Sequence, residues 1–393
     1  MTPRLLLPSL LTLAFHFALS PCGVRADERG RDGGERDWQE TDAIEAFPPL
    51  WSLGSQVRVR PFLATAPGGY SVAQIRRAYG FDKLTATGAA QTIAIVDAYG
   101  SATLQNDLNV FCGAMGIPTT TLGVYYPQGK PSTANSGWAL ETALDVQWAH
   151  AIAPGAKIVV VIAKSASLTN LLGAVDYAVK NLGAKQVSMS WGSAEFSSET
   201  SYDSHFNKGG VSFFAASGDN GSGVIWPAAS PYVVAVGGTT LSLDSQGLAS
   251  EVAWSGSGGG VSAFEKKPAY QSAWQTTAAR TVPDVSFNAN PSTGFPVYIT
   301  NYNGSTGWIT VGGTSAGAPQ WAALQVLVNS ARTTALSGVL TALYSVARTA
   351  YSADFYDIKV GNNGGYTTTL SYDYVTGLGS PNAAALVPSL IAK

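Results

Sequence analysis

Short apolar runs alternate with helix-like spacing along most of the chain after Tyr70. Thr92–Val96, Lys157–Ile162, Gln186–Ser190, Val211–Ala216 and Tyr232–Val236 are each a few residues long and bounded by glycine, proline or polar breaks. Runs of this length and content predict strands buried on both faces. Between two of them, Leu168–Asn181 sets Leu171, Leu172, Val175, Ala178 and Val179 at helical spacing. Ser136–Ala151 predicts another helix of about four turns, with Ser136 as N-cap and Pro154-Gly155 as its stop. Alternation of this kind predicts an α/β fold with a mostly parallel central sheet and helices on both faces. Ligands of such sheets collect at the carboxyl ends of the strands.

The helix over Ser136–Ala151 carries chemistry. Glu141 and Asp145 are four residues apart and share one face, about 6 Å apart at Cβ. Their neighbours Trp138, Leu140, Leu144, Val146 and Trp148 are too apolar for a solvated face. Two half-buried carboxyls share a proton, one titrating high and the other low. Such a pair can accept a proton in acid, where an imidazole is already charged. On an exposed helix the same spacing is only a mildly repulsive pair.

Gly312-Gly313-Thr314-Ser315-Ala316-Gly317-Ala318-Pro319 precedes the apolar run Trp321–Val328. Small neighbours let a substrate backbone approach Ser315, and Pro319 is tolerated in a first helical turn. A serine at a helix N-terminus sits in a positive local field, which suits a nucleophile; a plain helix-capping turn is the other reading. A serine nucleophile needs a base. His16 lies in the leader. His150, at a helix end, and His205, in a polar stretch, read as structural.

Together these motifs resemble the sedolisin family of serine-carboxyl peptidases. Ser217-Gly218-Asp219-Asn220-Gly221, Gly258-Gly259-Gly260-Val261-Ser262 and Arg280-Thr281-Val282-Pro283-Asp284 extend the likeness, in the family's order, from about Tyr70 to the end. The resemblance implies a subtilisin-like fold, with Ser315 as nucleophile, Glu141 as general base and acid, and Asp145 holding Glu141. It implies Asp219 in the oxyanion hole, with Asp97 and Trp191 as a supporting network. An aspartate that donates a hydrogen bond to an oxyanion must be protonated, which again points to acid. The resemblance also implies a C-terminal calcium-binding loop holding one structural Ca2+ on Asp357, Ile358, Thr369, Ser371 and Asp373. The family has glycines at the positions of Thr369 and Ser371, which puts the loop's shape in question.

Composition narrows the rest. Charged residues are 12% of the chain and the net charge is −2, with no basic tract, so nothing points to nucleic acid. Arg4 followed by the apolar Leu5–Leu19, ending near Ala26, predicts a signal peptide over 1–26 rather than a membrane span. Its removal takes Cys22 and leaves Cys112 alone, so no intramolecular disulfide forms. Residues 27–69 are a short, charged, glycine-rich segment expected to lack structure, and 70–393 form the peptidase domain. The family's prosegments are long and folded; whether this short one is removed stays open. The expected product is a secreted, monomeric acid endopeptidase acting on peptide or protein substrates. Two alternatives remain: a histidine-dependent subtilisin-like enzyme using His150 or His205, and a catalytically silent secreted binding protein on the same fold.

Overall fold

The computed structural model describes residues 44–48, 51–52, 68–245 and 247–393. The leader, Cys22 and His16 lie outside them.

The five expected strands join three unforeseen ones in one sheet: β1 (Thr92–Ala98), β2 (Gly123–Tyr125), β3 (Lys157–Ala163), β4 (Gln186–Met189), β5 (Ser212–Ala216), β6 (Val233–Asp244), β7 (Gly247–Ala253) and β8 (Val285–Asn288), with β2, β7 and β8 the unforeseen three. The order is β7-β6-β5-β4-β1-β3-β2, with β8 also on β6. Neighbours pair in parallel except β7 with β6. An antiparallel hairpin, β9 (Phe295–Tyr302) and β10 (Ser305–Gly312), stands apart and runs directly into Ser315. Nor was this hairpin foreseen from the apolar runs. Part of the segment expected to lack structure is docked through its backbone: Phe47 pairs antiparallel with Gly192, and Trp51 with Gly312.

Successive side chains of a strand point to opposite faces, and β1 shows this cleanly. Ile93 and Ile95 enter one core, whereas Ala94, Val96 and Ala98 enter the other. Asp97 therefore faces the side of Ile93 and Ile95. On that side pack α1 (Leu104–Met115), α2 (Ser136–Ile152) and α4 (Gly317–Ser330), while α3 (Leu168–Lys180) covers the opposite face. The alternation of β1 is what aims Asp97 at α2.

Two local expectations shift slightly. The α2 N-cap is Asn135, whose side chain accepts from the Trp138 N–H at 3.1 Å, rather than Ser136. Asn and Ser cap equally well, so sequence alone could not choose between them. From Trp138 to Ile152, all but Ala139 of α2 is buried, so this helix is enclosed all round rather than amphipathic. Cys112 is a free, buried thiol on α1. Among the described residues no helix is long and apolar enough to cross a membrane.

Candidate active site

Ser315 reaches its position through a crowded turn. Gly313 adopts φ +121° and its N–H donates to the Ala289 carbonyl at 2.6 Å. A Cβ on Gly317 would lie 2.6 Å from Val236 Cγ1 and 3.0 Å from Phe287 Cβ. The small residues around Ser315 thus let the turn sink onto β6 and β8. Ser315 itself lies in a short 3-10 turn, Thr314–Ala316, just ahead of α4, with Pro319 in the first turn of that helix.

Helix α2 packs beside this turn and presents Glu141 and Asp145 to it. Both acids, Asp97 and Ser315 are fully buried. Burial drives the Glu141 carboxyl well above the ordinary glutamate value, Asp145 and Asp97 push it further, and the Ser315 hydroxyl opposes them by hydrogen bonding to it. Burial also raises Asp145, with Asp97 adding; hydrogen bonds from Ser190 and Glu141 oppose this. Asp97 is pushed up to about 7 by burial. No arginine or lysine is among the groups acting on these three carboxyls. Burial and mutual repulsion favour neutral forms, so the cluster keeps protons far above the usual carboxylate range.

Asp219 follows the carboxyl end of β5, at the place where parallel sheets gather their chemistry. Its Oδ1 accepts from the Thr314 N–H at 2.8 Å and from the Thr314 hydroxyl at 2.8 Å. Its Oδ2 is buried and has no hydrogen-bond partner among the described residues. Burial pushes Asp219 up to about 7, against those two hydrogen bonds. A protonated Oδ2 would be a free donor beside the serine.

Two contributors were missed in the sequence. The Ser190 hydroxyl lies 3.0 Å from Asp145 Oδ1 and 3.3 Å from the Ser315 carbonyl oxygen, tying acid and nucleophile together. Thr314 holds Asp219. Both stand next to singled-out residues, Trp191 and Ser315, and that adjacency was the only available signal. Trp191 departs from its expected place among the carboxyls. Its indole N–H donates to the Val96 carbonyl at 2.8 Å, bracing the strand that carries Asp97.

The histidines are occupied elsewhere. His150 lies nine residues beyond Glu141 on α2, roughly 13 Å along the axis, and its Nε2 meets the Pro118 carbonyl at 2.6 Å. His205 pairs with Asp176 at 3.2 Å.

Of the five C-terminal positions implied for calcium, Asp357 and Ser371 meet at the Tyr351 hydroxyl. It donates to Asp357 Oδ1 at 3.0 Å and also approaches the Ser371 carbonyl. Ser371 N–H donates to Asp357 Oδ1 at 3.0 Å, and Thr369 N–H reaches Asp373 Oδ2 at 3.4 Å. Ser371 adopts φ +72°, so the loop keeps a glycine-like turn without glycine. The donors are hard oxygens of the kind calcium takes. They include two carboxylates, and no cluster of three or more His, Cys, Asp or Glu suited to a metal occurs among the described residues.

Comparison with known proteins agrees with the fold. The Subtilase family model, Peptidase_S8, matches residues 132–344, more than half the chain. Kumamolisin from Bacillus sp. (strain MN-32) is 31% identical, over 84% of this chain and 65% of its own length. Sedolisin from Pseudomonas sp. (strain 101) is 28% identical, over 86% of this chain and 64% of its own. The chain thus spans about two thirds of the length of these relatives. The solved structure of Pseudomonas sedolisin, a serine-carboxyl proteinase complexed with two molecules of pseudo-iodotyrostatin, superposes with a TM-score of 0.74 at 29% identity. That match covers 84% of this chain and 99% of the other. The chain belongs to the subtilase family, with a subtilisin-like fold, and the members it resembles here are sedolisin and kumamolisin.

Proposed function

We propose that this protein is an acid-active serine-carboxyl endopeptidase that cleaves peptide bonds through an acyl-enzyme. The observation that carries this reading is the Ser315 hydroxyl facing Glu141 inside a buried acid cluster without cation or histidine. Ser315 Oγ attacks the peptide carbonyl while Glu141 takes its proton, in the form of the Glu141–Asp145 pair that holds one proton and one charge between them. Asp145, held by the Ser190 hydroxyl, orients Glu141 and shares the proton. Protonated Asp219 donates from Oδ2 to the developing oxyanion. Glu141 then protonates the leaving amine, and water releases the acyl group by the reverse sequence. Asp97 and Trp191 support from behind, Asp97 as a neutral acid packed in the cluster and Trp191 by bracing the strand that carries it.

A structural calcium ion would sit on the carboxylates of Asp357 and Asp373 and the carbonyls of Ile358, Thr369 and Ser371. It would order that loop and take no part in the chemistry. The leader expected over residues 1–26 would send the enzyme outside the cell, and we take it to act there as a monomer.

The test is a pH–rate profile on a mixed peptide library. Activity should peak in the range pH 3–5, and Ser315→Ala should lower turnover by at least about 10^3-fold. Full activity in Ser315→Ala, or a profile rising through pH 7 as an imidazole base requires, would overturn the reading.

A further inference from the structure

The loop that would take calcium is already held by donors of the chain itself. Asp357 Oδ1 accepts from the Tyr351 hydroxyl and from the Ser371 N–H, both at 3.0 Å. The Lys359 ammonium lies 3.6 Å from Asp357 Oδ2. The Ser371 carbonyl meets the same Tyr351 hydroxyl. Tyr351, Asp357 and Ser371 thus close a ring of contacts that fixes Ser371 through both its N–H and its carbonyl. The ring holds this serine at φ +72°, a left-handed conformation disfavoured for any residue with a Cβ.

Asp373 is more heavily engaged. Its Oδ1 accepts from the N–H groups of Val375 and Thr376 at 2.8 and 2.7 Å, and its Oδ2 from the Thr369 N–H at 3.4 Å. The Thr376 hydroxyl lies 3.2 and 3.1 Å from the two oxygens. A carboxylate offers about four lone-pair positions. Calcium, which takes about six to eight oxygens, therefore finds most positions on Asp357 and Asp373 engaged, and Asp357 Oδ2 faces a positive charge.

The two competitors differ in strength. The Tyr351 ring stacks on Phe355 with centroids 5.8 Å apart and lies 6.1 Å from the Trp274 ring, so its hydroxyl is held in place. The Lys359 side chain is 59% exposed, and its ammonium moves into water at little cost. Neither replaces a divalent ion fully. One hydroxyl proton cannot serve Asp357 and Ser371 together, so a cation still gains by entering.

We propose that Tyr351 and Lys359 stand in for the cation at this loop: calcium reaches Asp357 and Ser371 only by breaking their contacts with that hydroxyl and that ammonium, so it binds weakly and the loop keeps its shape without it. This rests on the calcium reading above and is independent of the peptidase reading.

The experiment uses the full-length Ser315→Ala protein at about pH 7, where exposed carboxylates are ionised. It measures calcium uptake by titration calorimetry, together with the thermal midpoint and the amide exchange of residues 357–373 in chelator. Wild-type loop residues should bind calcium with a Kd of about 10^-4 to 10^-3 M. Chelator should leave their exchange protection in place and lower the thermal midpoint by at most about 4 °C. Tyr351→Phe keeps the ring and removes the hydroxyl. It should bind calcium about tenfold tighter, the factor for loss of one competing hydrogen bond, and should lose loop protection in chelator. Lys359→Met should tighten binding about threefold. Asp357→Asn added to Tyr351→Phe should abolish the tightened binding, which places it at this loop. Weaker binding by Tyr351→Phe would make the hydroxyl a support for calcium and overturn the proposal. So would wild-type binding at about 10^-6 M or tighter, or wild-type loop protection that disappears in chelator. Calcium uptake by none of these proteins would overturn the calcium reading and the exchange with it, and leave the peptidase reading standing.

Discussion

Two buried acidic regions of this molecule have opposite fates. Asp284 is fully buried and meets Arg280 as a bidentate pair at 2.6 and 2.7 Å. It also accepts from the Ala235 N–H at 2.8 Å and the Tyr344 hydroxyl at 2.8 Å. Both carboxylate oxygens have partners and the Arg280 guanidinium lies against them, so Asp284 ties β6 to Arg280 and Tyr344. Glu141, Asp145, Asp97 and Asp219 are buried as deeply, and no cation offsets them. Burial alone does not make an acid reactive. A matched cation freezes the charge, whereas its absence leaves protons that can move at an accessible pH.

The contrast can be broken by mutation. Glu141→Gln keeps the shape of the side chain and removes the base. It should cost about 10^2- to 10^4-fold in kcat on peptides while leaving the thermal midpoint the same or higher, because a strained acid is gone. Unchanged kcat would remove Glu141 from the chemistry.

Arg280→Met should do the reverse. It strands Asp284 as an unpaired buried charge and should lower stability by about 3–5 kcal/mol in urea unfolding, with the pH of optimal activity unmoved. A shifted optimum with intact stability would mean that the two regions are not separate.

Asp219 sharpens the comparison at one atom. Asp219→Ala should lose about 10^2- to 10^3-fold in kcat, and Asp219→Asn, which keeps an N–H donor, should lose less and work at higher pH. Equal losses across pH would rule out donation from Oδ2.

A separate effect is on stability against pH. Asp97 and Asp219 are pushed up to about 7, above the value near 4 of an unfolded aspartate. The folded state holds protons that the unfolded chain releases. Their contribution is complete below about pH 4 and is lost as pH rises through 7, at about 1.4 kcal/mol per unit for each group. Urea midpoints of the Ser315→Ala protein, which cannot digest itself, should therefore fall between pH 4 and 8. The decline should be shallower with Asp219→Asn added.

Local order was legible in the chain because it depends on neighbours in sequence. The apolar runs and the breaks around them set the α/β class. The four-residue spacing of Glu141 and Asp145 put both acids on one face of a helix, and the small residues about Ser315 marked a close turn. Contacts between distant segments were hidden. That Asp97 joins the two acids follows from the alternation of β1 and from which face α2 covers. That Trp191 braces Val96 rather than a carboxyl follows from the pairing of β4 with β1. Ser190 and Thr314 could be identified only once their partners were placed. Likewise, nothing in residues 44–52 announces an edge to pair with, since backbone groups carry no sequence signature. Periodicity records what each residue does to its neighbours, and register and packing decide which remote group it meets. For the proposed proton relay, drawn from four separate segments, those remote meetings set the acidities on which the chemistry would depend.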